Sequence, residues 1–274
     1  PGDVVLLPDP GYPVFEAGSY LGGAEVYYYP LLRENNFLPV IEDIPEDVLN
    51  KTKYIVLSYP SNPVGASAPK EMYVRMIEYA KKYNFAIIND NAYSDIIFDG
   101  REGFSFLSLP GAKDVGVEFF SLSKSYNVTG LRISFCIGNK SIIDAFKLLR
   151  SQYDFGMSYP AQKAAIAALR GPRDSVKAQC AEYQRRRDAL LNGLRKYGWN
   201  VPDSHGTMFV WLPVPEGYTS ASFTEALMDK AGVIGTPGTA FGPLGEGYIR
   251  FALTKSAEEL AVIADVIGQS GVLS

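Results

Sequence analysis

Phe119-Phe120-Ser121-Leu122-Ser123-Lys124-Ser125-Tyr126-Asn127-Val128-Thr129-Gly130-Leu131-Arg132 decides the reading of this chain. Its opening residues close an apolar, strand-forming run that begins at Val115, and the polarity then changes abruptly. A short apolar run that stops at a cluster of small hydroxyl residues reads as a buried strand followed by a turn. Lysine usually lies along a solvated helix face. Lys124 instead stands just beyond a strand, between Ser123 and Ser125. Burial there lowers an ammonium pKa, and a neutral amine can form a Schiff base with a carbonyl. Ser121, three residues earlier, and Arg132, eight residues later, add a hydroxyl donor and a permanent cation suited to a phosphate dianion.

Working outward, similar runs recur at 4–7, 24–29, 54–58, 85–89, 115–121 and 133–137, separated by helical patterns. That rhythm predicts an α/β fold with a sheet buried on both faces. Ser67 and Pro69 are expected to open a helix in which Met72, Met76 and Ala80 repeat at i, i+4, i+8, with Tyr73 and Ile77 widening the apolar face. Those methionines read as core fillers. Helices are expected at 141–152, 161–169 and 174–197. On the last, Cys180 reads as a small buried hydrophobe and Arg185-Arg186-Arg187 as a solvated face with local carboxylate partners. From Trp199 onward, short strands at 208–212 and 248–253 alternate with helices at 222–231 and 257–269. The expected division is a large domain, 1–172, and a smaller α+β domain, 173–274.

Composition narrows the function. The chain has 274 residues, 47% of them hydrophobic, with 26 Lys+Arg against 30 Asp+Glu. A sizeable core can form, and without a basic block neither nucleic acid nor an anionic membrane is the expected partner. No apolar run approaches the roughly 20 residues that span a bilayer. Cys136 and Cys180 lie far apart, and the single histidine, His205, leaves little scope for a metal site or a histidine relay. A cytoplasmic, reduced protein with a small-molecule ligand is expected, and His205 is expected at the surface. The chain opens at Pro1 and enters a strand pattern at once, which reads as a start inside a longer protein.

Three further stretches follow predicted strands. Asp90-Asn91-Ala92-Tyr93 sets a carboxylate and a phenol at a strand's carboxyl end, where α/β sheets bind ligands. Ser61-Asn62-Pro63-Val64-Gly65 sets an amide there, and Asp9-Pro10-Gly11-Tyr12-Pro13 an aromatic ring. Each alone is an ordinary turn; their joint occurrence in this order is what is improbable by chance. The glycines at 242, 245 and 247 lack dinucleotide spacing and a following helix, so a nicotinamide reading fails.

These motifs, with the late Gly247-Tyr248-Ile249-Arg250-Phe251-Ala252-Leu253, resemble over the whole chain the class I and II aminotransferases, with the closest likeness to LL-diaminopimelate aminotransferases. The resemblance implies the mostly parallel, seven-stranded-type sheet of the pyridoxal-phosphate-dependent transferase fold, here without its N-terminal strand, and a homodimer. It implies Lys124 as the Schiff-base lysine and Asp90 as partner of the protonated pyridine nitrogen. Tyr93 and Asn62 are then expected at the ring's phenolic oxygen, and Ser121, Ser123 and Arg132 at the phosphate. Tyr12 is implied as the stacking ring and Arg250, with Asn62, at the substrate carboxylate. The activity implied is amino transfer between an amino acid, of diaminopimelate or aspartate type, and 2-oxoglutarate. A carbon–sulfur lyase of the same fold and cofactor, or a cofactor-binding remnant without turnover, fits the same motifs. The implied upstream strand has no match before Pro1, so the strand at 133–137 is expected to keep an unpaired edge.

Overall fold

The structure is a computed structural model that describes residues 2–154 and 156–273. The first part of the chain alternates strand and helix: β1 Val4–Asp9, α1 Val14–Leu21, β2 Glu25–Pro30, α2 Glu46–Lys51, β3 Thr52–Ser58, α3 Lys70–Tyr83 and β4 Ala86–Asp90. It continues through α4 Ala112–Val115, β5 Gly116–Ser121, α5 Leu122–Ser125 and β6 Ser134–Gly138. Helices α6 Lys140–Tyr153, α7 Tyr159–Arg170 and α8 Asp174–Lys196 follow, then β7 Phe209–Pro213, α9 Ser220–Ala231, β8 Thr236–Pro237, β9 Tyr248–Ala252 and α10 Ala257–Gln269.

The first six strands form one sheet in the order β2-β1-β3-β4-β5-β6. The first five run parallel, and β6 turns antiparallel against β5. The central strands are apolar because both faces are covered: Leu6, Ile55, Leu57 and Ile87 have no exposed surface. Helix α3 closes one face with Met72, Tyr73, Met76, Ile77 and Ala80, all buried as their spacing predicts. Register pairs Ser58 with Asp90 and Asp90 with Phe119, so β3, β4 and β5 discharge their loops at one carboxyl edge. The loops bearing Tyr12, Asn62, Tyr93 and Lys124 therefore meet there. Among the described residues β6 ends the sheet and has β5 as its sheet neighbour.

A second, antiparallel sheet, β7-β9-β8, packs with α8, α9 and α10 around Leu190, Leu194, Trp199, Phe223, Leu260 and Ile267. Tyr93, Ile96 and Phe98, from the loop after β4, enter this same core. The two sheets are thus sewn together beside the first sheet's carboxyl edge.

Several expectations are corrected. Helix α1 is additional: the turn residues at 9–13 mask an eight-residue helix that follows Pro13 and stops at Gly22-Gly23. Helix α3 begins at Lys70, after Pro69, and Ser67 does not cap it; the Ser67 hydroxyl lies 3.5 Å from His205 Nδ1. Cys180 is half-buried and its thiol donates to Ile97 O at 3.1 Å. The arginine run is divided by helix phase. Arg185 and Arg186 pair with Glu182, as expected of a solvated face. Arg187 is 4% exposed, and its fork grips Asp99 at 2.7 and 2.6 Å while also donating to Ser204 O at 2.7 Å. Its guanidinium lies 5.0 Å from the Phe98 ring, so it clamps α8 to the loop after β4. Arg187→Ala should lower stability by about 2–3 kcal/mol, at or somewhat under the roughly 3–5 kcal/mol of a fully buried broken ion pair because Asp99 is partly solvated. Denaturant midpoints of the two proteins check this; a loss below about 0.5 kcal/mol would contradict the clamp.

Candidate active site

Each loop at the carboxyl edge has a local reason for its shape. After β3, Ser61 closes a compact loop: its N–H donates to Ala66 O at 2.9 Å and its hydroxyl accepts from Ala66 N at 3.2 Å. Gly65 has a φ of +73°, and a side chain there would run into Ser204 Oγ. That close approach lets His205 N donate to Gly65 O at 3.1 Å and docks the loop on the segment before β7. Asn62, 8% exposed, is held facing the second sheet.

After β1, Asp9 is buried and accepts from Leu244 N at 3.2 Å, while Gly11 N donates to Phe241 O at 2.8 Å. Gly242, at φ +127°, has no room for a side chain against the Asp9 carboxylate. The Tyr12 loop is thereby fixed to the second sheet, with the Tyr12 ring 42% exposed and edge-on to Phe15.

Asp90 ends β4, and its carboxylate accepts from Ala92 N at 3.2 Å. Burial raises its pKa; the Ala92 N–H and the nearby Lys124 ammonium act in the opposite sense. Tyr93 is buried with its pKa raised, chiefly by burial and then by the Asp90 charge. Lys124 lies in the single-turn helix α5, not on an open loop, with Nζ 5.8 Å from the centre of the Tyr93 ring. Burial lowers the Lys124 pKa, Arg132 lowers it further, and Asp90 opposes both. A neutral amine becomes accessible at lower pH than for an ordinary lysine.

Arg250 comes from β9, the middle strand of the second sheet, opposite Trp211. Its Nη1 donates to Asn62 Oδ1 at 2.8 Å, and its guanidinium lies 4.0 Å from the Phe209 ring and 4.5 Å from the Phe241 ring. Its Nε is buried and, among the described residues, has no hydrogen-bond partner. A half-buried cation flanked by two aromatic faces, with a donor left over, is built to take an anion from the cleft.

Asn62 and Arg250 are thus in direct contact, and Lys124, Asp90 and Tyr93 interact with one another. Ser121 stands at the N-cap of α5 and Ser123 is buried within it. Arg132 is exposed at φ +50°, with Nη1 donating to Thr129 O at 3.1 Å. Its charge reaches Lys124, but its guanidinium remains in its own turn. His205 is half-buried, not superficial, and lines a cavity with Tyr59, Asn91, Arg101 and Phe104. Burial and then Arg101 lower its pKa.

Sequence reasoning did not find Gln179, whose Nε2 on α8 donates to the Lys124 carbonyl. Neither did it single out Phe209 and Phe241. The aromatic residues gave a faint signal, standing beside Met208 and before Gly242; a glutamine on a long helix gave none.

The model for "Aminotransferase class I and II" matches residues 1–267. An LL-diaminopimelate aminotransferase of Dehalococcoides mccartyi is 52% identical over 260 residues, 95% of this chain and 67% of that protein. One from Moorella thermoacetica is 45% identical over the same shares. Among solved structures, an aminotransferase from Staphylococcus aureus superposes with a TM-score of 0.93 at 35% identity, covering 100% of this chain and 73% of the other. A probable N-succinyldiaminopimelate aminotransferase from Thermus thermophilus does so at 0.92 and 32%, covering 98% and 72%. The chain spans about two thirds of the length of these curated relatives. With the lysine, carboxylate and arginine already assembled at one edge, these matches show that the chain belongs to the aminotransferase class I and II family, as a pyridoxal-phosphate-dependent aminotransferase.

Proposed function

We propose that this chain moves an amino group from an amino acid of the LL-diaminopimelate type to 2-oxoglutarate, with Lys124, Asp90, Tyr93 and Arg250 as its working residues. The supporting observation is the Arg250–Asn62 contact facing the Lys124, Asp90 and Tyr93 group. The donor set suits pyridoxal phosphate. Asp90, a carboxylate that accepts from the Ala92 N–H, suits a protonated ring nitrogen, and the Tyr93 hydroxyl and Asn62 amide suit a phenolic oxygen. Ser121, Ser123 and Arg132 would take the phosphate, Arg132 by leaving its own turn, with Tyr12 against the ring face. Bound there, the cofactor supplies an electron sink for the electrons of the substrate Cα–H bond. Lys124, held low in pKa, accepts the Cα proton at Nζ, while Arg250 fixes the α-carboxylate so that this bond faces the amine. The wider reading has a large and a small domain divided near Gly171-Pro172, a homodimer and a cytoplasmic setting. Exposed Leu148, Leu149, Tyr153 and Tyr159 on α6 and α7 support the dimer. Among the described residues no helix is long and apolar enough to cross a membrane.

Glutamate formation from 2-oxoglutarate, measured with LL-diaminopimelate, aspartate and aromatic donors in parallel, tests the substrate. Highest kcat/KM with LL-diaminopimelate is expected. Pyruvate and ammonia from cystathionine, without glutamate from any donor, would favour a lyase.

The Lys124 environment also predicts a pH dependence. Because burial and, secondarily, Arg132 lower its pKa, capture of pyridoxal phosphate should rise with pH about a midpoint below the ordinary lysine value of about 10.4. Arg132→Gln removes a cation that disfavours the ammonium, so the midpoint should move up. Stopped-flow absorbance reads it; an unchanged or lower midpoint would contradict the coupling.

A further inference from the structure

The strand beside Asp90 carries a carboxylate that the chemistry above does not use. Glu118 lies within β5 between Val117 and Phe119, has no exposed surface, and pairs in register with Asn89. Burying a carboxylate is costly unless it is fully hydrogen-bonded, and an apolar residue would fill this site as Val117 fills its own. Among the described residues no cation pairs with it. Four donors face it instead. Oε1 accepts from Asn89 Nδ2 at 2.8 Å, Asn91 Nδ2 at 2.8 Å and Phe106 N at 3.1 Å, and Oε2 accepts from the Ser105 hydroxyl.

Two of these donors flank Asp90 in the chain. Side chains alternate along a strand, so Asn89 and Asn91 point to one face and Asp90 to the other. The backbone carries this geometry one residue past the strand, since Asn91 N donates to Phe119 O at 2.9 Å. Asn91 Nδ2 also reaches Phe104 O at 3.1 Å, and Tyr73 hydroxyl donates to Asn89 Oδ1 at 3.3 Å, so both amides are held from two sides. Among the described residues Asp90 itself accepts one hydrogen bond, from Ala92 N, so the backbone on either side sets its direction. We propose that Glu118 is the positioning residue for Asp90. It pins the amides before and after Asp90 on one face of the sheet and so aims that carboxylate out of the opposite face. The inference rests on the reading of Asp90 as the partner of the cofactor's ring nitrogen.

Affinity for pyridoxal phosphate, measured by fluorescence titration, tests it without turnover. Glu118→Leu should weaken binding by about 10- to 100-fold, by analogy with the loss when groups that orient metal-binding side chains are removed. Glu118→Gln should stay within about threefold, because its carbonyl can accept from Asn89, Asn91 and Phe106 while its amide faces Ser105. In an Asp90→Ala background Glu118→Leu should add less than about twofold, since it acts through Asp90. If Glu118→Leu does not fold by circular dichroism, Asn91→Ala read against the same background replaces it, with a smaller loss in the same sense. Parent-like affinity of Glu118→Leu, or an equal loss with Asp90 absent, overturns the positioning role and leaves that of Asp90 standing. Parent-like affinity of Asp90→Ala overturns both.

Discussion

Lys124→Ala should lower amino transfer by at least about 10⁴-fold. Two functions are lost together: attachment of the aldehyde, and delivery of a base to Cα, which alone contributes about 10²- to 10⁴-fold. At this edge the Lys124 amine is half-buried, faces Tyr93 and is held low in pKa by burial and Arg132. Folding should not suffer. A lysine whose folded pKa is depressed destabilises the folded state at any pH below its unfolded value, so removing it should leave the melting temperature unchanged or slightly raised. Steady-state kcat and a thermal melt check the two statements together. Turnover within tenfold of the parent, or a large drop in melting temperature, would contradict them.

Arg250→Leu should cost about 10²- to 10⁴-fold in kcat/KM. A carboxylate gripped by a guanidinium fork gains two charge-assisted hydrogen bonds of about 1.5–3 kcal/mol each. The Phe209 and Phe241 faces at 4.0 and 4.5 Å, and the Asn62 contact at 2.8 Å, hold that fork in place before substrate arrives. Arg250→Lys keeps charge but not the planar fork, so it should recover only part of the loss. The substrate should matter as well: an amine lacking the α-carboxylate should react about equally with both proteins. Equal losses for amino acid and amine would mean that Arg250 supports the fold and not the carboxylate.

The sheet was legible because its strands are short apolar runs that end abruptly in turn residues, and burial on both faces leaves few alternatives to that pattern. The position of Asp90, Asn62 and Lys124 at the sheet's carboxyl edge was legible for the same reason: each follows such a run at its carboxyl end. Helix α1 was hidden because Pro10, Gly11 and Pro13 signal turn more strongly than eight residues can signal helix. Arg187 could not be told from Arg185 and Arg186, since one helical step decides which guanidinium faces Asp99. His205 depended on the approach of a loop more than a hundred residues away. Glu118 left one trace, a charge inside the run at 115–121, but its partners Asn89, Asn91 and Ser105 come together only when β5 is laid beside β4. Helix α1 apart, contacts between distant segments account for what was missed.

Borohydride reduction in the presence of pyridoxal phosphate, followed by peptide mapping, tests most directly whether Lys124 takes the cofactor. A single pyridoxyl group on the Lys124 peptide, lost in Lys124→Ala, is the expected result. Adducts spread over exposed lysines such as Lys140 and Lys255, with none on Lys124, would contradict it.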